Sequence, residues 1–173
     1  MESPLAVQID ATAFAYDRAA PVIDIDHVAV AHGERLFLRG ASGSGKSTLL
    51  ALLAGILAPD KGRISVLGQD MTALGASRRD AFRAARLGVI FQMFNLLPYL
   101  PVGANITLPC HFSAGRAGQA EAAGGAEAEA RRLLKRLGLD PAEVWTKRSS
   151  DLSVGQQPRV AAARALIGRP GLI

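Results

Sequence analysis

The fold of this chain is decided by Gly40-Ala41-Ser42-Gly43-Ser44-Gly45-Lys46-Ser47, which fills every fixed position of the pattern G-x-x-x-x-G-K-[ST]. Gly43 and Gly45 let the backbone turn tightly, so that its N–H groups can approach phosphate oxygens without a Cβ in the way. The helix expected from about Ser47 adds its positive dipole end. Lys46 supplies a mobile charge for the β- and γ-phosphates, and the Ser47 hydroxyl is placed to bind Mg²⁺. We therefore expect a loop that binds a nucleoside triphosphate.

The segments on either side of this loop give it the context that such a loop requires. Residues 35–39 predict a short strand before the loop, and the apolar run of residues 48–55 predicts a buried helix after it. A Gly/Ser-rich surface turn is the alternative interpretation. The predicted strand and helix argue against that alternative.

The composition is that of about one ordinary domain. The chain has 173 residues, of which 49% are hydrophobic, enough for a core. It shows no signal-peptide pattern and no apolar run near the roughly 18–20 residues that cross a bilayer. A single cysteine, Cys110, excludes an internal disulfide and fits a reducing compartment. The net charge of +5 raises the question of nucleic-acid binding, but the arginines are scattered, so we expect a solvated surface and no nucleic-acid partner.

The first part of the chain predicts strands. Residues 1–39 alternate apolar and polar side chains, as in residues 22–30, which favours antiparallel pairing. Residues 63–68 predict a further strand after the loop helix. Residues 87–91 predict a buried strand that ends at Gln92.

The second part, residues 93–150, has a helical character. Residues 127–137 predict a helix, because Glu127 and Arg131 are spaced i,i+4 and Gly138 follows as a stop signal. The Ala/Gly-rich tract of residues 115–125 predicts an exposed, variable connection with little function.

A second chemical signal is Leu152-Ser153-Val154-Gly155-Gln156-Gln157. Ser153 and Gln156 form a capping box before a helical stretch, and alone this indicates no more than a helix start. A helix N-terminus with a free hydroxyl and a glycine N–H is also suited to bind an anion. Pro158 would fall near the fifth helical position, where it would kink the helix or delay its start, at about 1–3 kcal/mol.

Three motifs in series resemble those of the ATP-binding subunits of ABC transporters: the loop of residues 40–47, Gln92 at the end of a predicted strand, and residues 152–156. In that family the order is phosphate loop, Q-loop, helical subdomain and a Leu-Ser-Gly-Gly-Gln signature. The resemblance runs from about Phe14 to the last residue. Residues 91–98 are most similar to the branch that includes lipoprotein-releasing and macrolide-export ATPases.

The resemblance implies an α/β fold, namely a P-loop NTPase with an antiparallel β subdomain and an inserted α-helical subdomain, incomplete at the C-terminus. It divides the chain into three parts. Residues 1–92 would form the nucleotide-binding core with the β subdomain, residues 93–163 the α-helical subdomain ending in the signature, and residues 164–173 the return to the core.

The resemblance also implies the site residues, with ATP and Mg²⁺ as cofactors. Lys46 and Gln92 would be catalytic, and Ser47 and Gln92 would contact the metal. The aromatic ring of Tyr16 would stack on adenine. The residues expected to bind the nucleotide are Tyr16, Gly40, Ala41, Ser42, Gly43, Ser44, Gly45, Lys46, Ser47, Thr48, Gln92, Ser153, Gly155 and Gln156.

The partners implied by the resemblance are a second nucleotide-binding subunit and membrane-spanning permease subunits. Two ATP-binding subunits would face each other head to tail, as peripheral proteins at the cytoplasmic face of the cell membrane. Residues 94–100 and the surroundings of Trp145 lie where the family docks its membrane subunits. Core packing is the alternative for residues 94–100, but Pro98 and Pro101 favour an exposed docking loop.

Three features depart from the family pattern, and one of them is Pro158 after the signature. Val154 replaces the first signature glycine, which predicts weakened or reshaped contacts with phosphate. No Asp or Glu follows Asp151, so the acidic pair that organises Mg²⁺ and activates water in the family is not in this sequence. Because phosphoryl transfer depends on metal placement and an oriented nucleophile, we expect a fragment that binds ATP but hardly hydrolyses it.

Two other function classes stay open. One is an ABC-type ATPase of DNA repair or chromosome organisation, although 107 residues (153 minus 46) without sustained heptads argue against its long coiled-coil arms. The other is a nucleotide-binding regulatory module that does not hydrolyse ATP.

Overall fold

The computed structural model describes residues 5–17 and 20–173. The chain forms two compact units, one that extends to Asp80 and one from Ala81 to Ile173. The strands are β1 (Leu5–Phe14), β2 (Ile23–Ala31), β3 (Lys61–Val66) and β4 (Gln69–Asp70). The helices are α1 (Lys46–Leu53), α2 (Ala76–Arg86), α3 (Val102–Phe112), α4 (Ala114–Ala122), α5 (Ala126–Arg136), α6 (Pro141–Val144) and α7 (Gln156–Leu166), with a short 3₁₀ helix at Ser149–Asp151.

The N-terminal unit is built on an antiparallel sheet with the strand order β2-β1-β3-β4. β1 lies between β2 and β3 and pairs with both. Phe14 lies opposite Ile23 of β2, and Ile9 lies opposite Ile64 of β3. The side chains of Ile9, Ile64 and Val66 are buried. The alternation of apolar and polar residues therefore predicted this antiparallel part correctly.

The helix α1 begins at Lys46, directly after the glycine-rich loop. Gly45 precedes it with a φ of 83°, and Leu52 buries its side chain almost completely. The helix predicted after the loop is therefore confirmed, but it is not buried throughout, since Leu50 is 57% exposed. Because its first residue is Lys46, its unsatisfied N–H groups lie at the loop itself.

The C-terminal unit is helical, with a core between α3, α5 and α7. Leu134 of α5 is fully buried there, and Arg131 forms the expected ion pair with Glu127 at 2.7 Å. Gly138, with a φ of 73°, follows the end of α5 as predicted. The core consists of Val102, Ile106, Ala130, Leu134, Leu139, Val144, Leu152, Val160, Ala163 and Ile167.

Two predicted strands are not formed, at residues 35–39 and 87–91. Phe37 is 82% exposed, Ile90 is 46% exposed, and Leu87 makes a single parallel bridge with Leu172. A strand needs a neighbouring strand to bind its N–H and C=O groups. Among the described residues neither segment has such a neighbour beyond that bridge, so apolar composition alone did not produce a strand.

The prediction of an exposed connection at residues 115–125 was also wrong. Residues 114–122 form α4, which begins where the Ser113 hydroxyl accepts a hydrogen bond from the Arg116 N–H at 3.2 Å. Ala120 is fully buried and Arg116 is only 2% exposed. Alanine has the highest helix propensity, and its small side chain lets α4 pack closely on its neighbours.

Candidate functional site

The backbone of the glycine-rich loop has the conformation that an anion site requires. Gly43 and Gly45 have φ angles of 80° and 83°, in the left-handed region that favours glycine. A Cβ on Gly45 would lie 2.8 Å from the carbonyl oxygen of Val22. Among the described residues, the N–H groups of Gly43, Gly45, Lys46 and Ser47 have no acceptor, whereas Ser44 donates to Ala41. Four free donors thus lie at the N-terminus of α1.

The side chain of Lys46 folds back onto this loop. Its Nζ donates to the carbonyl oxygens of Gly40 at 2.9 Å and Ala41 at 2.7 Å. It also lies 3.3 Å from the Ser44 hydroxyl. The ammonium group is therefore held at the loop, beside the free N–H groups, while the side chain of Ser47 is exposed.

Tyr16 lies against the first turn of α1. Its hydroxyl is 3.0 Å from the Thr48 hydroxyl, and its ring packs edge-on against Phe14 with centroids 5.1 Å apart. Tyr16 is still 63% exposed, so much of its ring is open to a ligand. The structure thus brings Tyr16 and the glycine-rich loop together within the N-terminal unit.

Gln92 lies in an exposed turn of the C-terminal unit, not at the end of a strand. The turn continues through Phe94 and Asn95, which both have left-handed backbones with φ angles of 58° and 48°. Arg164 of α7 donates to both of their carbonyl oxygens, at 2.5 Å from Phe94 and 2.6 Å from Asn95. Burial lowers the pKa of the Arg164 guanidinium.

Asn105, which is fully buried on α3, fixes the rest of this turn segment. Its side-chain oxygen accepts from the Leu97 N–H at 2.8 Å, and its amide donates to the Leu97 carbonyl at 3.0 Å. The Ser149 hydroxyl donates to that same carbonyl at 2.7 Å. Sequence reasoning missed Asn105 and Arg164. The available signals were a polar Asn inside an apolar helix and an Arg within the alanine-rich α7.

The signature-like segment forms the N-terminus of α7, which begins at Gln156. The Ser153 N–H donates to the Gln156 side chain at 3.0 Å, which is one half of the predicted capping box. Pro158 is the third residue of α7, so the delayed helix start places it where its missing N–H does not matter. Ser153 and Gly155 are exposed, and Val154 is 84% exposed.

The apolar segment after Gln92 is partly exposed and partly packed. Met93 and Tyr99 are 81% and 69% exposed, whereas Phe94 and Leu97 are half-buried. Trp145 packs against its neighbours, since the Arg131 guanidinium lies 4.1 Å from its ring centroid. The exposed apolar atoms of this segment therefore belong mainly to Met93 and Tyr99.

Two kinds of feature are absent from the described residues. No cluster of three or more His, Cys, Asp or Glu side chains there is arranged to hold a metal ion. In that same part of the chain, no helix combines the length and the apolar character that a membrane span needs.

Several known proteins are similar to this chain in sequence. The lipoprotein-releasing system ATP-binding protein LolD of Pseudomonas syringae pv. tomato is 41% identical over 141 residues, which are 82% of this chain and 59% of LolD. The spermidine/putrescine import ATP-binding protein PotA of Frankia alni is 35% identical over 179 residues, which are 99% of this chain and 34% of PotA. This chain thus spans about 59% of the length of the LolD relatives and less of PotA.

The fold and the family are shown by two further matches. The dimeric ATP-binding cassette MJ0796, in a post-hydrolysis state with ADP and Pi, matches with a TM-score of 0.81 and 28% identity, over 95% of this chain and 70% of that one. The α/β P-loop NTPase fold with antiparallel and helical parts is therefore confirmed. The sequence profile of the family described as ABC transporter matches residues 24–173. This chain belongs to the ABC transporter family.

Proposed function

We propose that this chain is the nucleotide-binding part of an ABC transporter ATP-binding subunit, which couples ATP binding and hydrolysis to transport across a membrane. The observation that carries the proposal is the group of four free N–H donors at Gly43, Gly45, Lys46 and Ser47, with the Lys46 ammonium beside them. Oriented backbone donors and one mobile cation are what a triphosphate requires. The exposed ring of Tyr16 supports stacking on the adenine base.

The cofactor fits the residues present. Mg²⁺ binds few protein groups and keeps water or phosphate oxygens as its other ligands, and the exposed hydroxyl of Ser47 would supply one protein ligand from this loop. Gln92 would complete the set, as a metal contact or by orienting the attacking water. When bound, Mg²⁺ would supply positive charge that offsets the charge of the phosphates. Lys46 and Gln92 are thus the proposed catalytic residues.

Ser153, Gly155 and Gln156 are proposed to contact the nucleotide held by a second copy of this subunit. Their support is that Ser153 and Gly155 are exposed at the N-terminus of a helix of the length needed for a dipole effect. Val154 also points to solvent, so any crowding from its β-branched side chain would fall on the partner's phosphates and not on this chain.

The membrane-spanning permease subunits are proposed to dock on the segment after Gln92, with the subunit peripheral at the cytoplasmic face. The exposed side chains of Met93 and Tyr99 are suited to be anchors, because they can be desolvated without unfolding the domain. Co-purification of the full-length subunit with its permease tests this. Replacing both residues by Ser should abolish the complex and leave ATP binding intact, whereas an unchanged complex would contradict docking here.

Nucleotide binding is tested by titrating a fluorescent ATP analogue into the chain and two variants. Lys46→Ala should lose most affinity, because it removes the ammonium group held at the loop. Lys61→Ala makes the same charge change at an exposed position of β3 and serves as the control. Equal affinity of Lys46→Ala and Lys61→Ala would refute the proposal.

Of the alternative functions, a DNA-repair or chromosome-organising ATPase is not supported, because the longest helices of the described residues have 11 residues and none forms a coiled-coil arm. A regulatory module that binds but does not hydrolyse ATP is the other alternative. Measured turnover separates it from the ATPase.

A further inference from the structure

A cavity of about 260 Å³ lies in the C-terminal unit, lined by α5, the end of α7 and the residues that follow it. Its volume is just below the roughly 300 Å³ at which pockets for drug-sized ligands begin, so it suits a small molecule. The lining includes one carboxylate, three guanidinium groups and aliphatic side chains, namely those of Glu129, Arg132, Arg136, Arg169, Leu133 and Leu166. The residues from α5 are spaced i, i+3, i+4 and i+7, so they share one face of that helix.

The carboxylate of Glu129 is buried without a cation to pair with. The residue is 6% exposed, and its Oε2 accepts a hydrogen bond from the Gly168 N–H at 3.1 Å. Its Oε1 accepts no hydrogen bond among the described residues, although it is not sealed from solvent. Buried carboxylates are normally paired with a positive group. Glu129 therefore offers the cavity an acceptor that suits a cationic donor.

The three arginines of the cavity, Arg132, Arg136 and Arg169, are exposed and unpaired. None of their guanidinium groups lies within salt-bridge distance of a carboxylate among the described residues, Glu129 included. Three positive charges exceed the one negative charge of Glu129, so the cavity also favours an anion. A guanidinium group binds a carboxylate through two parallel N–H bonds, which sets the orientation of the anion as well as its position.

The turn that carries Arg169 is held by Glu129 itself. Arg169 has a left-handed backbone with a φ of 49°, a conformation that costs free energy for a residue with a Cβ. Gly168 precedes it with a φ of 66°, and its N–H is the group that Glu129 binds. Glu129 thus both lines the cavity and fixes the turn that brings an arginine to it.

We propose that this cavity binds a small zwitterion, a free amino acid with an aliphatic side chain. Its ammonium group donates to Glu129, its carboxylate accepts from the arginines, and its side chain contacts Leu133 and Leu166. An anion without an amine leaves Glu129 unpaired, and an amine without an anion meets three positive charges. The site uses none of the residues proposed to bind the nucleotide, so the inference goes beyond the proposed function.

Isothermal titration calorimetry of the 173-residue chain with L-leucine tests the proposal. Isocaproate is leucine without its amine, and isoamylamine is leucine without its carboxylate. Phosphoethanolamine keeps both charges but lacks the aliphatic side chain, and it represents a lipid head group. We expect L-leucine to bind about tenfold or more tightly than each of these three compounds, because each lacks one of the three contacts.

Variants separate the two charged contacts. Glu129→Gln keeps an acceptor for the Gly168 N–H, so it should weaken L-leucine by about tenfold and leave isocaproate at least as tightly bound. Arg136→Gln should weaken both L-leucine and isocaproate and spare isoamylamine. Lys135→Gln is the matched control, since Lys135 is exposed on the same helix and does not line the cavity. Lys46→Ala should bind L-leucine like the parent, whether or not the chain binds ATP.

Several outcomes would overturn the inference. One is a dissociation constant of the parent for L-leucine weaker than about 1 mM. Others are equal affinities for L-leucine and isocaproate, or equal losses in Arg136→Gln and Lys135→Gln. Phosphoethanolamine that binds as tightly as L-leucine would assign the site to a head group and not to an amino acid. If Glu129→Gln does not fold, Arg136→Gln decides, because Arg136 is exposed and its loss leaves the core intact.

Discussion

Replacing Gly45 by Ala, with Gly43→Ala as its matched control, tests the physical basis of the loop. Both glycines have nearly the same left-handed φ, at 83° and 80°. Their surroundings differ. A Cβ on Gly43 meets nothing within 4 Å, whereas one on Gly45 would lie 2.8 Å from the Val22 carbonyl oxygen and 3.0 Å from Ile23 Cδ1. The pair therefore separates backbone strain from steric conflict.

The expected losses in the free energy of unfolding follow from backbone strain and from steric conflict. A left-handed alanine loses about 1–2 kcal/mol relative to glycine, and both variants share this loss. At Gly45 the added methyl group must also displace a backbone oxygen next to β2, and such overpacking costs about 1–3 kcal/mol more. We expect Gly43→Ala to lower the free energy of unfolding by about 1–2 kcal/mol and Gly45→Ala by about 2–5 kcal/mol.

The assay is urea unfolding followed by circular dichroism, with free energies extrapolated to water. Equal losses in the free energy of unfolding of the two variants would refute the reasoning. They would show that the conflict between the added Cβ and the Val22 carbonyl oxygen does not destabilise the protein. A larger loss in Gly43→Ala would contradict the loop geometry itself. ATP titration of both folded variants then shows how far each loop conformation is needed for binding.

Three further predictions address the rest of the chain. Arg116→Met should lower the free energy of unfolding by about 3–5 kcal/mol, because the buried carbonyls of Leu87, Ala165 and Ile167 lose the hydrogen bonds that Arg116 donates to them. Urea unfolding measures this loss, with Arg132→Met as the control at an exposed site. A loss below about 1 kcal/mol in Arg116→Met would contradict the prediction. Burial, with a smaller effect from Glu129, raises the pKa of the Cys110 thiol, so less thiolate is present at a given pH. Its alkylation by iodoacetamide should therefore rise at higher pH than that of free cysteine, and coincident pH profiles would speak against this. The purified chain should bind Mg-ATP with phosphate release no faster than in Lys46→Ala, and robust turnover would show that residues up to Ile173 suffice for hydrolysis.

The parts of the molecule that local spacing determines were predictable from sequence. The loop of residues 40–47, the helix after it and the antiparallel strands depend on neighbours a few residues away or on a simple alternation. The strands predicted at residues 35–39 and 87–91 depend instead on a partner strand, about which their own residues carry no information. Composition was equally misleading for α4, where a tract rich in Ala and Gly forms a packed helix.

The residues of the candidate site also divide into those that the sequence predicted and those that it did not. Lys46 and the signature-like residues have side chains whose spacing indicates their chemistry. Arg164 and Asn105 bind backbone carbonyls, and a carbonyl is present at every position of the chain, so no pattern of side chains reveals the pairing. Pro158 is an intermediate case, because its presence predicted that α7 would begin late or bend, and the structure shows the late start.

The contacts of Lys46 have a consequence for which anions the loop can accept. Its ammonium group is already solvated by the carbonyl oxygens of Gly40 and Ala41, so an incoming anion must replace them as its partner. A singly charged ion such as chloride would form one weak contact with the ammonium group, which would lose its two hydrogen bonds to these carbonyl oxygens. A triphosphate offers several charged oxygens at once and can bind the free N–H groups of the loop in the same step. From the resting position of Lys46 we therefore expect the loop to bind polyphosphates in preference to monovalent anions.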